Sequence, residues 1–482
     1  MSAEPLDVAI IGAGTAGLSA RAEVAKRTDS YRVFDPGPYG TTCARNACMP
    51  SKALLQSAHD FHRRHAFEAL GITGAEALRV DGARVLAETR ALRDGLVESV
   101  IQSMAPWREN HLVPHRARFA PDGTLQAGER QFRPRATVIA TGSRPIVPPG
   151  WRDRFGDRIL TSDEIFELRT LPARMAVIGL GPVGLELGQA LARLGVAVTG
   201  FDPAPTIGGL GDPELRNRLR EMLEREMTLV QAEAEPSEGA DRAIRMSWEG
   251  GSIEVDAVLV AVGRRPALDD LGLEALGHPL GKDGQPDLPE GRLNLPGTRL
   301  YFAGDVGSGP ALLHEASDEG RIAGHFAARD ADAEFRRRTP LRMVFCSPQL
   351  ALAGADWDAL QTREGPVARG EAAFDGVGRT RLQRGPGGAI RIHADSRTGQ
   401  LLGAAILGPE AEHLGHLLAY AIERGEDLRG LLRMPAYHPT HEEVLRRALR
   451  AALDDSEVTA EPLEAIRCED SPIDCEEARA RD

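Results

Sequence analysis

The sequence has few cysteines, no excess of positive charge and no long apolar run. Five cysteines in 482 residues are too few for a disulfide scaffold, so two that stand close together indicate redox chemistry or metal binding. The net charge of −13 argues against nucleic acid as the main partner, because phosphate binding needs a basic surface. The apolar run in MSAEPLDVAIIGAG is too short for a signal peptide or a membrane span. The sequence therefore predicts a cytoplasmic protein without a membrane partner.

Lysine is rare as well, since it occurs only at Lys26, Lys52 and Lys282. Arginine is the usual basic residue of this chain, so a lysine in the segment CMPSK marks Lys52 as a place where a compact ammonium group is needed. Chance is the alternative explanation.

Two stretches, residues 7–35 and 175–202, share one pattern of strand, glycine-rich turn, amphipathic helix, second strand and acidic residue. In such a unit the first glycine permits a tight turn, the second lets a pyrophosphate approach the backbone, and the third lets the helix pack closely. The acid accepts hydrogen bonds from a ribose, and the helix N-terminus attracts the phosphates. The pattern residues are Gly12, Gly14, Gly17 and Asp35 in the first unit and Gly179, Gly181, Gly184 and Asp202 in the second. The repeat predicts two dinucleotides.

The remaining segments predict an α/β protein with two Rossmann-like dinucleotide-binding domains and a C-terminal α+β domain. Segment 53 to about 118 is helical in composition and forms an insertion in the first domain. We expect a first domain at 1–150, a second at 151–268, a central segment at 269–337 that completes the first domain, a third domain at 338–455, and an acidic, loosely ordered tail at 456–482.

Cys43 and Cys48 lie five positions apart in GTTCARNACMPSK, which leads into a helix. In an ideal helix their Cα atoms would be roughly 8 to 9 Å apart, more than the about 7 Å that a disulfide tolerates. A disulfide between them therefore needs a distorted first turn, and strained, accessible disulfides are the catalytic kind. The helix N-terminus favours a thiolate at Cys48. Two reduced core thiols or a zinc site are the alternatives, although CxxC pairs are absent.

Histidines occur in two notable groups. Thiol–disulfide exchange needs a base, and His438 has Glu443 five positions later in HPTHEE, a carboxylate that could orient its ring. His59, His62 and His65 are spaced by three, but no nearby cysteine or acid completes a metal site. A solvated helix face is the favoured interpretation for these three, and no metal site is predicted.

The segment CARNACMPSK resembles the redox motif of the class I pyridine nucleotide-disulfide oxidoreductases, the flavoenzyme family of dihydrolipoamide dehydrogenase, glutathione reductase and mercuric reductase. Both glycine-rich units, the segments ATGSRP and AGD, and the C-terminal HPTxxE extend the resemblance to about residue 455. The resemblance implies a homodimer with an FAD domain, an NAD domain and a C-terminal dimerisation domain.

The resemblance also implies roles for individual residues. Cys48 would form the charge-transfer thiolate beside the flavin, and Cys43 would exchange with substrate. His438 and Glu443 would act on Cys43 of the partner subunit. The implied catalytic residues are Cys43, Cys48, Lys52, Glu186, His438 and Glu443, where Lys52 pairs with Glu186; the implied FAD residues are Gly12, Gly14, Gly17, Asp35, Thr42, Lys52, Thr141, Gly142 and Asp305; the implied NAD residues are Gly179, Gly181, Gly184, Asp202 and Gly263.

Asp202 favours NAD over NADP, because a carboxylate repels a 2′-phosphate and the following Pro-Ala-Pro has no arginine. This favours the dihydrolipoamide dehydrogenase branch, which oxidises dihydrolipoamide with NAD⁺ through a Cys43–Cys48 disulfide, with the lipoyl group on a carrier protein or domain. An enzyme of the same family that acts on another disulfide, a metal ion or an oxidant is one alternative. A flavin redox sensor with low turnover is another.

The sequence departs from the family pattern in two places. Ala47 stands where the family has a glycine, and Arg45 adds a cation near the thiols, so the redox potential and the substrate preference stay open. In the tail, Cys468 and Cys475 are either a third redox centre or surface thiols, and their spacing favours surface thiols. Cys346, in an apolar strand, is predicted to be a core residue.

Overall fold

A computed structural model describes residues 3–278, 280–281, 284–329, 331 and 335–459. The described strands are β1 (Glu4–Ile11), β2 (Tyr31–Phe34), β3 (Leu112–Val113), β4 (Ala117–Phe119), β5 (Leu125–Ala127), β6 (Arg130–Ile139), β7 (Ser143–Pro145), β8 (Ile159–Leu160), β9 (Arg174–Ile178), β10 (Ala197–Phe201), β11 (Thr228–Val230), β12 (Glu235–Glu238), β13 (Ile244–Trp248), β14 (Gly251–Val255), β15 (Ala257–Val260), β16 (Arg264–Pro266), β17 (Leu300–Phe302), β18 (Leu341–Val344), β19 (Gln349–Gly354), β20 (Val367–Ala373), β21 (Ala389–Asp395) and β22 (Leu401–Gly408). The described α-helices are α1 (Thr15–Val24), α2 (Thr42–Asn46), α3 (Cys48–His62), α4 (Gly82–His111), α5 (Trp151–Phe155), α6 (Pro182–Arg193), α7 (Pro213–Leu223), α8 (Leu313–Ala327), α9 (Trp357–Thr362), α10 (Gly378–Gln383), α11 (Ala411–Glu423), α12 (Leu428–Leu432) and α13 (Glu442–Asp454).

The first sheet has the strand order β3-β2-β1-β6-β5-β4, and β17 pairs with β6. The centre is parallel, because β1 runs parallel to both β2 and β6. A parallel strand is covered on both faces, which explains the apolar run at residues 8–11 of β1. Val8 and Ile10 pack in the cluster that contains α1, whereas Ala9 and Ile11 pack in a second cluster on the opposite face. The helical insertion predicted after residue 53 is present as α3 and α4.

The second sheet repeats this architecture with the order β11-β10-β9-β15-β8, all parallel. An antiparallel sheet of β12, β13 and β14 accompanies it, and the short strands β7 and β16 pair between the two Rossmann-like units. Helix α6 is buried along most of its length. The buried apolar cluster of this second unit includes Leu191 of α6. It also includes Leu54 of α3 and Val344 of β18, so one cluster joins three parts of the chain.

The third sheet is antiparallel, with the order β18-β19-β22-β21-β20. Helices α11 and α13 supply leucines and alanines to its core. On β21 the fully buried Arg391 forms ion pairs with Asp212, Glu214 and Glu371. A buried guanidinium needs such partners, since an unpaired charge in the interior is very costly. The contact ties the second unit to the third sheet.

The predicted fold class is confirmed, with two Rossmann-like units and a C-terminal α+β domain. The described chain ends shortly after α13, so most of the predicted tail, including Cys468 and Cys475, lies outside the described residues. Within the described ranges, none of the helices has the length and apolarity that a membrane span requires.

Candidate active site

The two cysteines lie on either side of a helix break. Helix α2 ends at Asn46 and α3 begins at Cys48, while Ala47 between them has φ −131° and ψ −103°. Thr41 caps α2 by accepting a hydrogen bond from the backbone nitrogen of Ala44 at 3.2 Å. This break is the kind of distortion that a disulfide between Cys43 and Cys48 would need, and it falls at one of the residues where the chain departs from the family motif.

The two thiols of this pair, both free, have opposite pKa shifts. A hydrogen bond from Cys43 is the main cause that lowers the pKa of Cys48 to about 7, and the ammonium of Lys52 lowers it further, against the effect of burial. The same hydrogen bond, together with burial, raises the pKa of Cys43. The proton of the pair therefore stays on Cys43, and Cys48 is the sulfur that ionises near neutral pH.

Lys52 connects the redox pair to the second unit. Its Nζ lies 2.8 Å from Oε2 of the buried Glu186 on α6, as the resemblance implies. Nζ also lies 4.6 Å from the ring centroid of Phe345. The other oxygen of Glu186 accepts a hydrogen bond from the backbone nitrogen of Phe345 at 2.9 Å. Phe345 was missed in the sequence, where nothing distinguished it from a core aromatic residue.

His438 and Glu443 form a pair on the third domain. His438 Nδ1 lies 2.9 Å from Glu443 Oε1, and Glu443 Oε2 accepts a hydrogen bond from the backbone nitrogen of Thr440 at 3.3 Å. The contact with His438 is the main cause that lowers the pKa of Glu443. The side chain of His438 is 76% exposed and the neighbouring Tyr437 is 82% exposed. His438 and Glu443 are therefore already hydrogen-bonded to each other, and the ring of His438 is exposed at the surface of the described chain.

The first glycine turn has the geometry that the sequence predicts. A Cβ on Gly12 would lie 2.3 Å from the carbonyl oxygen of Ala140, and one on Gly17 would lie 1.9 Å from that of Gly12. A Cβ on Gly14 would meet nothing within 4 Å, so this side of the turn is an open cradle at the N-terminus of α1. The carboxylate of Asp35 accepts from the backbone nitrogens of Ala13 and Gly37, each at 2.7 Å. Asp35 thus also fixes the turn itself, a role that the sequence analysis missed.

The second unit repeats these contacts. A Cβ on Gly179 would lie 2.5 Å from the carbonyl oxygen of Ala261, one on Gly184 would lie 1.9 Å from that of Gly179, and Gly181 faces open space. Asp202 follows β10 and accepts hydrogen bonds from the backbone nitrogens of Leu180 at 2.7 Å and Ala204 at 2.9 Å.

The other predicted nucleotide residues surround these turns. The hydroxyl of Thr141 is buried and has no hydrogen-bond partner in the described part of the chain. Gly142 has φ +71° and Gly263 has φ +118°, values that favour glycine. Asp305 accepts a hydrogen bond from Ser143 at 2.5 Å. Thr42 is exposed at the start of α2. An orphan hydroxyl, open glycine cradles and a carboxylate after the second strand of each unit are what a dinucleotide needs, so these residues fit FAD in the first unit and NAD in the second.

A network of hydrogen bonds and one ion pair between the redox motif and Asp305 was also missed. Asn46 donates to Asp163 at 2.9 Å, and burial raises the pKa of Asp163. Arg264 lies 3.9 Å from Asp163 and donates to the hydroxyl of Ser143 at 2.8 Å. Ser143 in turn donates to Asp305. The sequence held no signal for this network, since its members are dispersed over 260 residues.

One sequence interpretation needs correction. The surface around His59 is not a solvated helix face, because Arg193 of α6 donates to its Nδ1 at 2.9 Å and burial lowers its pKa to about 4. His62 lies 3.9 Å from Glu226 of the second unit. Arg45 donates to the carbonyl oxygen of Pro38 at 3.0 Å.

Cys346 is a core residue, as predicted. Its thiol is fully buried and donates to the carbonyl oxygen of Pro348 at 3.1 Å, and burial raises its pKa to about 12.

Comparison with known proteins gives two domain matches. Residues 6–320 match the family described as "Pyridine nucleotide-disulphide oxidoreductase", and residues 341–449 match the dimerisation domain of that family. A dihydrolipoyl dehydrogenase of Thermus scotoductus is 31% identical over 457 residues, which cover 92% of this chain and 97% of the relative. One of Bacillus subtilis is 29% identical over 459 residues, which cover 93% and 99%.

Solved structures share the fold. The HOCl-induced flavoprotein disulfide reductase of Escherichia coli has a TM-score of 0.80 at 20% identity and covers 92% of this chain and 99% of its own. LpdA of Mycobacterium tuberculosis has a TM-score of 0.78 at 22% identity, with coverages of 93% and 99%. The match to the dimerisation domain supports a homodimer. The chain therefore belongs to the pyridine nucleotide-disulphide oxidoreductase family and is an oxidoreductase whose cofactors are FAD and NAD(H).

Proposed function

We propose that this enzyme is a dihydrolipoyl dehydrogenase, which converts dihydrolipoamide and NAD⁺ to lipoamide, NADH and a proton. The observation that carries the proposal is the asymmetric thiol pair, in which the pKa of Cys48 is lowered to about 7 while that of Cys43 is raised. The names of the curated relatives support the choice of dithiol. We further propose that the lipoyl group is attached to a carrier protein or domain, and that the enzyme is cytoplasmic.

Thiol–disulfide exchange follows from this asymmetry. In the oxidised enzyme Cys43 and Cys48 share a disulfide bond. A substrate thiolate attacks Sγ of Cys43, that bond breaks, and Cys48 departs as a thiolate. A sulfur with a low pKa leaves readily, which suits Cys48 to this part. The second substrate sulfur then attacks the first substrate sulfur, and the bond from that sulfur to Sγ of Cys43 breaks. Lipoamide is released with its own disulfide closed, and Cys43 is left as a thiol.

We propose that His438 of the partner subunit handles the protons. Glu443 holds Nδ1 of this ring, so Nε2 accepts the proton of the first substrate thiol. The imidazolium then protonates Cys43 as that sulfur leaves, and the ring takes the proton of the second substrate thiol. The exposure of His438 and Tyr437, on the part of the chain that matches a dimerisation domain, supports a position opposite the partner's Cys43.

Residues around the cofactors bind and orient. FAD, when bound, supplies an acceptor for the two electrons of the dithiol and a hydride donor for NAD⁺. Gly14 and the N-terminus of α1 would hold its pyrophosphate, and Asp305 its ribityl chain. Lys52 keeps a positive charge beside Cys48 and is itself held by Glu186. Asp202 would accept hydrogen bonds from the NAD ribose.

The test is steady-state NAD⁺ reduction by dihydrolipoamide, with holoenzyme of measured FAD content. Cys43→Ser and Cys48→Ser should each abolish turnover while FAD stays bound. Cys468→Ser and Cys475→Ser are matched controls and should retain it, whereas their loss of activity would indicate a third redox centre. If a fully flavinated dimer shows no turnover, dihydrolipoamide is not the substrate. The same preparation, supplied with NADH, is then tested against other disulfides, metal ions and oxidants.

A further inference from the structure

A buried carboxylate lies behind the turn that contains Asp305. The side chain of Glu319 on α8 is 2% exposed, and its Oε2 accepts a hydrogen bond from the backbone nitrogen of Gly304 at 2.7 Å. Gly304 directly precedes Asp305 and has φ +79°, a value that favours glycine. The backbone nitrogen of Gly307 closes the turn by donating to the carbonyl oxygen of Gly304 at 2.8 Å. Glu319 therefore holds the backbone that carries the side chain of Asp305.

Arg337 neutralises this carboxylate. One guanidinium nitrogen of Arg337 lies 2.5 Å from Oε1 of Glu319, and the other lies 2.8 Å from Oε2 of Glu315, one turn earlier on α8. Burial raises the pKa of Glu319, and the arginine opposes this effect. A buried carboxylate needs such a partner to stay ionised. One oxygen of Glu319 thus binds the turn, while the other is held by the cation.

The loop at residues 304–309 packs directly on this ion pair. A Cβ on Gly309 would lie 2.4 Å from a guanidinium nitrogen of Arg337 and 2.5 Å from Oε1 of Glu319. Gly304 at the other end of the loop packs on α1, since its Cβ would lie 3.1 Å from the Cβ of Ala16. The loop is therefore enclosed between the ion pair and the helix of the first glycine turn.

Arg337 comes from the junction between the first unit and the C-terminal domain. The neighbouring Arg338 lies 3.1 Å from Oδ1 of Asp318 on α8. Thr339 donates to Glu423 of α11 through both its backbone nitrogen and its hydroxyl, each at 2.7 Å. The junction thus binds α8 on one side and the C-terminal domain on the other, and it connects the loop of the first unit to that domain.

We propose that Glu319 is a positioning residue for FAD, held in place by Arg337, and that it fixes the Gly304–Asp305 turn so that the carboxylate of Asp305 binds the ribityl chain. The inference rests on the proposed role of Asp305. Without the acceptor on Glu319 the buried nitrogen of Gly304 is left unsatisfied, which is costly, and the turn has to move. FAD should then dissociate faster, whichever dithiol the enzyme oxidises.

The test is the rate of FAD release from purified holoenzyme, measured as the increase in flavin fluorescence after dilution. Glu319→Leu removes the acceptor and should release FAD at least about tenfold faster than the parent. Glu319→Gln keeps an acceptor oxygen without the charge and should stay within about threefold of the parent. Asp318→Asn is the matched control on the same helix, because Asp318 pairs with the exposed Arg338. It should release FAD as the parent does.

A double-mutant cycle shows whether Glu319 acts through Asp305. Asp305→Ala should itself speed FAD release, and Glu319→Leu should add little in that background, whereas a residue that only stabilises the fold would add its full effect in both. If Glu319→Leu does not fold, Arg337→Met takes its place in the cycle and should release FAD faster. Arg337→Lys keeps a cation and should stay nearer to the parent.

The inference is overturned if Glu319→Leu, or Arg337→Met in its place, releases FAD at the rate of the parent. It is also overturned if Glu319→Gln releases FAD as fast as Glu319→Leu, or if the two effects in the cycle add in full. An Asp305→Ala variant that keeps FAD as the parent does would show instead that the proposed role of Asp305 is wrong, and the inference would fail with it. None of these outcomes depends on dihydrolipoamide, so failure of that substrate is a separate result.

Discussion

The two glycine turns are nearly identical, but the helices that follow them have different surroundings. Helix α1 meets α8 through small residues, since a Cβ on Gly320 would lie 2.2 Å from the carbonyl oxygen of Ala16, and one on Gly324 would lie 2.5 Å from that of Ala20. Helix α6 instead carries buried polar side chains, among them Glu186 and Gln189. Backbone packing thus closes the first unit, whereas polar contacts connect the second to its neighbours.

The polar face of α6 reaches three regions. Glu186 binds Lys52 of the redox helix, Gln189 accepts from the backbone nitrogen of Ser347 at 2.7 Å, and Arg193 donates to Glu226 and His59. One helix that starts at the second nucleotide turn therefore contacts the redox helix and the C-terminal domain. In the first copy of this fold unit the helix packs closely on α8, whereas in the second copy the helix makes polar contacts with the redox helix and the C-terminal domain.

The largest difference between the two units is expected for the variants Gly17→Ala and Gly184→Ala, which change the third glycine of each turn. In both units the added Cβ would lie 1.9 Å from the carbonyl oxygen of the first glycine. Gly17→Ala should lose FAD and with it all activity, because the added Cβ displaces the turn that would hold the FAD pyrophosphate, and α1 is packed against α8 and cannot move away. Gly184→Ala should keep FAD and raise the KM for NAD⁺ at least about tenfold, by more than 1.4 kcal/mol of binding free energy. Flavin absorbance of the purified protein and NAD⁺ saturation curves measure the two effects. Loss of FAD from Gly184→Ala would contradict the comparison.

A second, smaller contrast concerns helix packing. Gly320→Ala pushes α8 away from the backbone of α1 and should lower the free energy of unfolding by about 1–3 kcal/mol. Gly188→Ala on α6 is the matched control, since its Cβ would meet only Met227 Sδ at 3.5 Å and other side chains at ordinary distances. It should be neutral, or stabilising by up to about 1 kcal/mol through helix propensity. Thermal unfolding at saturating FAD compares the two. An equal decrease in Tm for both would show that α6 is packed as tightly as α1.

The repeat and the redox motif were predictable because each depends on residues close in sequence. Glycine spacing predicted both turns, and a disulfide between Cys43 and Cys48 would need a helix break such as the one at Ala47. The polar face of α6 was only partly predictable. Resemblance indicated that Lys52 pairs with Glu186, but the contacts of Arg193 and Asp163 join segments far apart in sequence. Such partners depend on how the domains pack, and no local pattern encodes that.

The smallest expected effect is on the pKa of Cys48, which depends on the charges of Lys52 on α3 and Glu186 on α6. Lys52 lowers the pKa of Cys48 and Glu186 raises it. Lys52→Met should therefore raise the pKa of Cys48, and Glu186→Gln should lower it, each by about one pH unit or less. The Cys48 thiolate is present above its pKa of about 7 and is lost as pH falls through that value. The midpoint of alkylation by iodoacetamide, read at Cys48 by mass spectrometry in the reduced holoenzyme, should move upward in the first variant and downward in the second.

The opposite signs make this test specific to charge. A variant that only loosened the packing of α3 on α6 would increase solvent access to Cys48 and shift both midpoints the same way. Glu23→Gln is a matched carboxylate control, because Glu23 pairs with the exposed Lys26 on the surface and should leave the midpoint unchanged. Shifts of the same sign in Lys52→Met and Glu186→Gln would mean that α6 supports the redox helix sterically. Opposite shifts would show that the contact between α6 and the redox helix also sets the pKa of Cys48 through charge.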